Sequence, residues 1–132
     1  MATDSPARGV VSKLSPRTVA DTVSHLTDLI AARGLTLFGV IDQRAAAREA
    51  GQDLRDTVLV LFGSPAAGTP VMGAVPLAAL DLPLKVLIWD DEGQTTVSYT
   101  APATIAARYA LSDDLAARLA AIGPLTDALV AS

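Results

Sequence analysis

The sequence predicts a single α+β domain whose sheet is at least partly antiparallel. Three observations carry that expectation. Val19, Val23, Leu26 and Ile30 recur at steps of four, three and four, which is one face of a helix. Two uninterrupted apolar runs of strand length, Thr57–Phe62 and Leu84–Trp89, read as strands buried on both faces. The second run leads through Asp91-Glu92-Gly93 into the alternating stretch Thr95–Thr100, which is the pattern of a hairpin. With 132 residues, 51% of them hydrophobic, the chain has enough apolar surface for one core and little length for a second. The expected domain therefore spans 1–132.

The elements follow in order. Gly9–Leu14 reads as a first strand. Ser15 before Pro16 reads as a helix start, a side-chain cap followed by a proline that needs no donor, and Gly34 supplies the stop. Leu35–Ile41 is a second strand, with Gly39 permitting a bend. Asp42 caps a short helix over Arg44–Ala50 that Gly51 ends. After Thr57–Phe62 comes a Gly-Ser-Pro turn, and Thr69-Pro70 opens a short helix reaching Leu80, interrupted by Asp81 and Pro83. In the hairpin Val97 and Tyr99 point one way and Thr96, Ser98 and Thr100 the other. Pro102 starts further helix. Ser112 with Asp113-Asp114 starts another, and Leu115, Leu119 and Ile122 continue one face until Gly123-Pro124 breaks it. Leu125–Val130 forms a last turn. No internal repeat or linker interrupts the chain.

Composition excludes several classes. The net charge is −4 and the ten Lys and Arg residues are scattered among acidic ones, so neither the basic face that phosphate backbones require nor a basic membrane-surface helix is present. Nucleic acid and membrane are not expected partners. No cysteine is available for disulfides, thiolate catalysis or thiolate metal sites, which fits a cytoplasmic protein. Met1–Arg8 is polar and contains Pro6, unlike a signal peptide. The longer apolar stretches are cut by Pro76, Pro83, Pro124, Arg118 and Asp127, so none reads as a membrane span. Neither a metal nor an organic cofactor is implied. If two strands are apolar on both faces and helices cover one, the other face needs a cover. A homodimer is the expectation, which a monomeric mass at micromolar concentration would count against.

Three stretches carry a resemblance. Gly34-Leu35-Thr36-Leu37-Phe38 with Ile41-Asp42, Phe62-Gly63-Ser64-Pro65 with Gly68-Thr69-Pro70, and Ala79-Leu80-Asp81-Leu82-Pro83-Leu84-Lys85-Val86-Leu87 with Trp89 together resemble the domain-of-unknown-function family 302 over about 10–111, leaving 112–132 as a helical extension. The resemblance implies a curved, mainly antiparallel sheet with helices packed on it, similar to the TATA-binding-protein arrangement and often dimeric, and it implies no activity. Fold analogy does not import DNA binding. The family pattern usually places His where Gln43 stands, Asn where Ser64 stands, and often His at Tyr109. Roles for those histidines in metal binding or proton transfer therefore do not carry over.

Candidate site residues remain. The segment Gly63–Pro70 superficially resembles a phosphate loop, but Thr69 stands where lysine is required and Pro70 where a hydroxyl is, so nucleotide hydrolysis is rejected. Its glycines and prolines suit a plain turn equally, while Ser64 and helix-terminal amides offer contacts for a small anion. Lys85, inside an apolar strand, shares a face with Leu87 and Trp89; it reaches solvent at an edge, binds an anion, or serves as a base. Asp42 reads as a helix cap or, with a partner, a base. Trp89 and Tyr99 read as core or interface aromatics, Asp81 as a turn residue bonded to nearby backbone, and His25 as a flank residue off the apolar stripe. The expected pocket joins Asp42, Gln43, Gly63, Ser64, Thr69 and Lys85 around a small polar or anionic molecule. Two alternatives stand beside it. One is a protein-interaction module using an apolar sheet face. The other is an enzyme with Lys85 or Asp42 as proton carrier.

Overall fold

The computed structural model of the chain describes residues 2–4 and 8–131. The reading of Met1–Arg8 as a polar, leaderless start falls partly outside them. Six strands, β1 (Ala2–Asp4), β2 (Val10–Leu14), β3 (Thr36–Asp42), β4 (Thr57–Gly63), β5 (Leu84–Asp91) and β6 (Gln94–Thr100), form one sheet. Its order is β1-β2-β6-β5-β4-β3 and every pairing is antiparallel. Among the described residues six helices accompany the sheet: α1 (Val19–Ala32), α2 (Gln43–Glu49), α3 (Pro65–Ala74), α4 (Pro102–Arg108), α5 (Asp113–Ala117) and α6 (Ile122–Val130). A 3₁₀ turn over Pro76–Asp81 links α3 to β5. The α+β expectation holds, with an open antiparallel sheet.

The core lies on one face of that sheet, under α1 and α6. Val58, Val60 and Phe62 of β4 alternate inward with Leu84, Val86 and Ile88 of β5, and meet Leu26 and Ile30 of α1 and Leu125 and Leu129 of α6. Each such side chain contributes about 1.5–3 kcal/mol by leaving water. The two-sided burial expected for β4 and β5 is corrected here. Their patterns are strictly alternating, buried then half-buried, because helices cover only the face carrying the even-numbered residues. Leu59, Leu61, Leu87 and Trp89 lie on the uncovered face.

Local chemistry corrects three helix boundaries. The cap of α1 is Thr18, whose hydroxyl accepts from the Asp21 amide at 3.1 Å. Ser15 is instead buried, its Oγ 2.8 Å from Thr22 Oγ1. The segment read as a loop before Thr69 is already helical: Ser64 caps α3, Pro65 occupies its first position, and Pro70 sits inside it. Gly123 and Pro124 do not break the last helix but lie in the first turn of α6, where a proline's missing donor has no partner to lose. Asp42 caps α2 as expected, Oδ1 accepting from the Ala45 amide at 3.0 Å. The hairpin turn places Glu92 and Gly93 at φ of 51° and 93°, and Asp90 Oδ1 accepts from the Gly93 amide at 2.8 Å.

Candidate functional site

The pocket grows out of the end of β4. The strand delivers Gly63 and Ser64 to the sheet rim, and α3 turns away from them. A pocket of about 280 Å³ opens there, floored by Leu84 and Leu119 and walled by Phe38, Met72, Leu82 and Pro83. Phe38 reaches it because β3 carries a register irregularity between Leu37 and Gly39. Gly63 lies against this wall: a β-carbon there would stand 3.7 Å from the Phe38 ring and 3.8 Å from Pro83 Cβ, ordinary contact distances that would not displace either. Polar groups are few: Ser64 and Thr69 at one side, and Arg118 at the end of α5 as the one cation in the lining.

The α3 amides are mostly committed. Pro65 has no N–H, Ala67 N–H donates to Ser64, and Gly68 N–H donates to Ser64 O at 2.8 Å. The two amides that follow Ala66 are thus taken up within the helix, while Arg118, in the pocket lining, forms no salt bridge among the described residues. The structure brings Gly63, Ser64 and Thr69 together at this pocket. Asp42 lies at the far end of β3 holding α2, next to exposed Gln43.

Lys85 lies elsewhere, lining a second, more polar hollow of about 360 Å³ with Leu80, Asp81, Thr100 and Ile105. Its Nζ makes a long 3.4 Å contact with Pro83 O. Asp81 departs from the local turn bond expected for it. Its Oδ2 accepts from the Tyr109 hydroxyl at 2.5 Å and from Arg108 Nη1 at 2.7 Å. The Tyr109 bond, then Arg108 and the nearby Lys85 charge, outweigh burial and hold the Asp81 carboxyl below its usual range. The same bond raises the Tyr109 hydroxyl above its ordinary value. No local pattern announces this cluster, because its partners are 27 and 28 residues apart in the chain.

Sequence reasoning also missed Lys13. It sits under α6, with Nζ 2.7 Å from Thr126 Oγ1, 3.2 Å from Gly123 O and 2.8 Å from Asp127 Oδ1, and 5.2 Å from the Tyr99 ring centroid. Trp89, on the uncovered face, donates from Nε1 to Ser98 Oγ at 3.0 Å, and Ser98 pairs with Ser12 at 2.7 Å.

Comparison with known proteins adds a lineage to this geometry. A family model described as "Domain of unknown function DUF302" matches residues 11–128. The solved structure of an uncharacterised conserved DUF302 protein from Bacillus stearothermophilus superposes with a TM-score of 0.79 at 17% identity, covering 94% of this chain and 97% of that one. A protein of Brucella suis biovar 1 (strain 1330) named fluoride-specific ion channel FluC 1 is 34% identical over 118 residues, 87% of this chain and 46% of its own length. A protein of that name from Brucella abortus biovar 1 (strain 9-941) matches at 34% over 44% of its length. The chain thus spans less than half the length of these curated relatives. Among the described residues no helix is long and apolar enough to cross a membrane.

Proposed function

The chain belongs to the DUF302 family, and from that premise we propose that it is a binding protein for a small organic anion with an apolar body. One observation carries this reading: the pocket at Ser64 has an almost wholly apolar lining with a single cation, Arg118, and two hydroxyls. An apolar cavity with a few convergent polar groups is the usual form of a small-molecule site, and about 280 Å³ is at the small end of such sites. A short carboxylate fits that pattern. Its hydrocarbon part lies against Phe38, Met72 and Leu82, and its charge meets Arg118, with Ser64 Oγ free to donate its proton while accepting from the Ala67 amide. We propose a cytoplasmic location, with which a chain that has no cysteine is compatible.

Calorimetric titration with a series of short aliphatic and aromatic carboxylates tests the reading. Binding should be lost or weakened about tenfold in Arg118→Gln and for the matching neutral amides, equivalent to about 1.4 kcal/mol. Lys85→Ala should bind as the parent does. No binding by any carboxylate at millimolar concentration, or equal affinity for acid and amide, would refute it.

A second reading is favoured by the coverage of the relatives. In the Brucella proteins the matched segment is under half of a longer chain, so there it is one part of a larger whole. On that ground we propose as the alternative an accessory module that docks a partner protein through Leu59, Leu61, Leu87 and Trp89. A photo-crosslinker at Leu87, used in the native host, should then capture one recurrent partner. Finding no adduct would dismiss it.

A further inference from the structure

Where β5 begins and β6 ends, the sheet carries polar side chains that the Ser64 pocket does not use. Asp81, Lys85 and Thr100 line the hollow of about 360 Å³ there, against walls of Leu80, Ile105 and Ile122. Asp81 is aimed from behind by the end of α4. Its Oδ2 accepts from both Tyr109 and Arg108, neither of which lines the hollow. Its Oδ1 accepts from no described residue. Lys85 is half-buried, and the single contact of its Nζ is the long one to Pro83 O. Its charge acts on Asp81, yet the two form no ion pair among the described residues. An acceptor and a three-proton donor thus line one hollow without meeting, and their remaining hydrogen-bonding capacity is open to an occupant.

We propose that this hollow binds a small hydroxy acid, its carboxylate on Lys85 Nζ and its hydroxyl donating to Asp81 Oδ1, with the Thr100 hydroxyl available to either end. Charge selects this class. Arg108 offsets Asp81, so Lys85 leaves the cluster one positive charge in excess, which a monoanion balances. An amino acid suits it less, because its ammonium adds a third cation beside Arg108 and Lys85. A plain carboxylate suits it less too, because it sets a second anion near Asp81 and brings no donor for Oδ1. Tyr109 and Arg108 are positioning residues: by occupying Oδ2 they leave Oδ1 to the ligand. The site is separate from the Ser64 pocket, with Leu84 forming part of both linings. It gives Lys85 an anion contact shared with Asp81 and not with Ser64.

Heteronuclear NMR titration with glycerate and propionate reads the two hollows separately. On the parent chain, glycerate at millimolar concentration should shift the amides of Asp81, Lys85 and Ile105 and leave those of Gly63 and Thr69 in place. Propionate and serine should act on the first group about tenfold more weakly, the worth of one bond to a charged group. Lys85→Ala should weaken glycerate by about tenfold or more, and Arg118→Gln should leave it unchanged. Tyr109→Phe should narrow the preference for glycerate over propionate without weakening propionate, an effect that mere loss of structure would not produce. No shift at Asp81, Lys85 and Ile105, equal shifts from glycerate and either propionate or serine, or parental glycerate affinity in Lys85→Ala would each overturn the proposal. The ligand comparison needs no variant, so it stands whatever the substitutions do to folding. The two hollows are read at different amides, so failure at one leaves the other reading standing.

Discussion

Replacing Lys13 by methionine separates two contributions that the fold combines in one residue. The side chain is 8% exposed and carries a charge under α6. Methionine keeps most of the stem and removes only the ammonium. Three polar contacts are then lost, of unequal weight. The bond to Thr126 Oγ1 at 2.7 Å is buried and charge-assisted, and the one to Gly123 O is longer at 3.2 Å. The ion pair with Asp127 counts for little, since that carboxylate is 73% exposed. Thr126 is not orphaned, because its hydroxyl still donates to Ile122 O at 2.7 Å. Removing the buried charge also removes its desolvation cost. Lys13→Met should therefore destabilise by about 1–2 kcal/mol. Lys13→Ala loses about three further buried methylenes at about 0.8 kcal/mol each and should cost about 3–4 kcal/mol. Asp127→Ala should cost under about 0.5 kcal/mol. Urea unfolding at one fixed protein concentration, followed by circular dichroism and Trp89 fluorescence, gives the differences at constant slope. Equal losses for methionine and alanine, or an Asp127→Ala loss matching Lys13→Met, would refute the assignment of stability to packing plus the bonds to Thr126 and Gly123.

Other perturbations follow from the same packing. Gly9 has φ of +74°, and a β-carbon there would overlap the Thr104 side chain, so Gly9→Ala should destabilise by at least about 2 kcal/mol, whereas Gly73→Ala, in α3 with open space around it, should stabilise by about 0.4–1 kcal/mol. Ser64→Ala removes the α3 cap and should cost about 1 kcal/mol by the same urea assay. Asp81 gives a pH signature. Its folded pKa is held down, so its contribution is complete above the unfolded carboxylate range and is lost as pH falls through the folded value. The gap in urea midpoint between the parent and Asp81→Asn should thus be widest near neutrality and narrow below about pH 4. A gap independent of pH would exclude the charged Asp81 bond as its source.

Much of the local structure was legible in the chain itself. The steps from Val19 to Ile30, the cap at Asp42, the hairpin at Asp91–Gly93 and the cap at Ser112 each depend on residues within a turn or two of one another, where side-chain geometry alone selects the backbone. The three family-like stretches carried the α+β fold for the same reason: they are contiguous. The boundaries that moved, at Ser15, Ser64 and Gly123, had two chemically adequate caps or turns within a few residues, and only packing chose between them. Whether β4 and β5 are covered on both faces was not legible, because an apolar run reports hydrophobicity and not which helix arrives. Of the six candidate pocket residues, Gly63, Ser64 and Thr69 converge because they are neighbours along one rim, while Asp42, Gln43 and Lys85 end at other places on the sheet. Arg118 and Phe38 enter the pocket from elements far apart in sequence, as Tyr109 reaches Asp81 and Lys13 reaches Thr126. The sequence by itself determined the elements, because their causes are local. The tertiary structure alone decided the site, because convergence of side chains from distant segments is a property of register and packing that no stretch of chain contains.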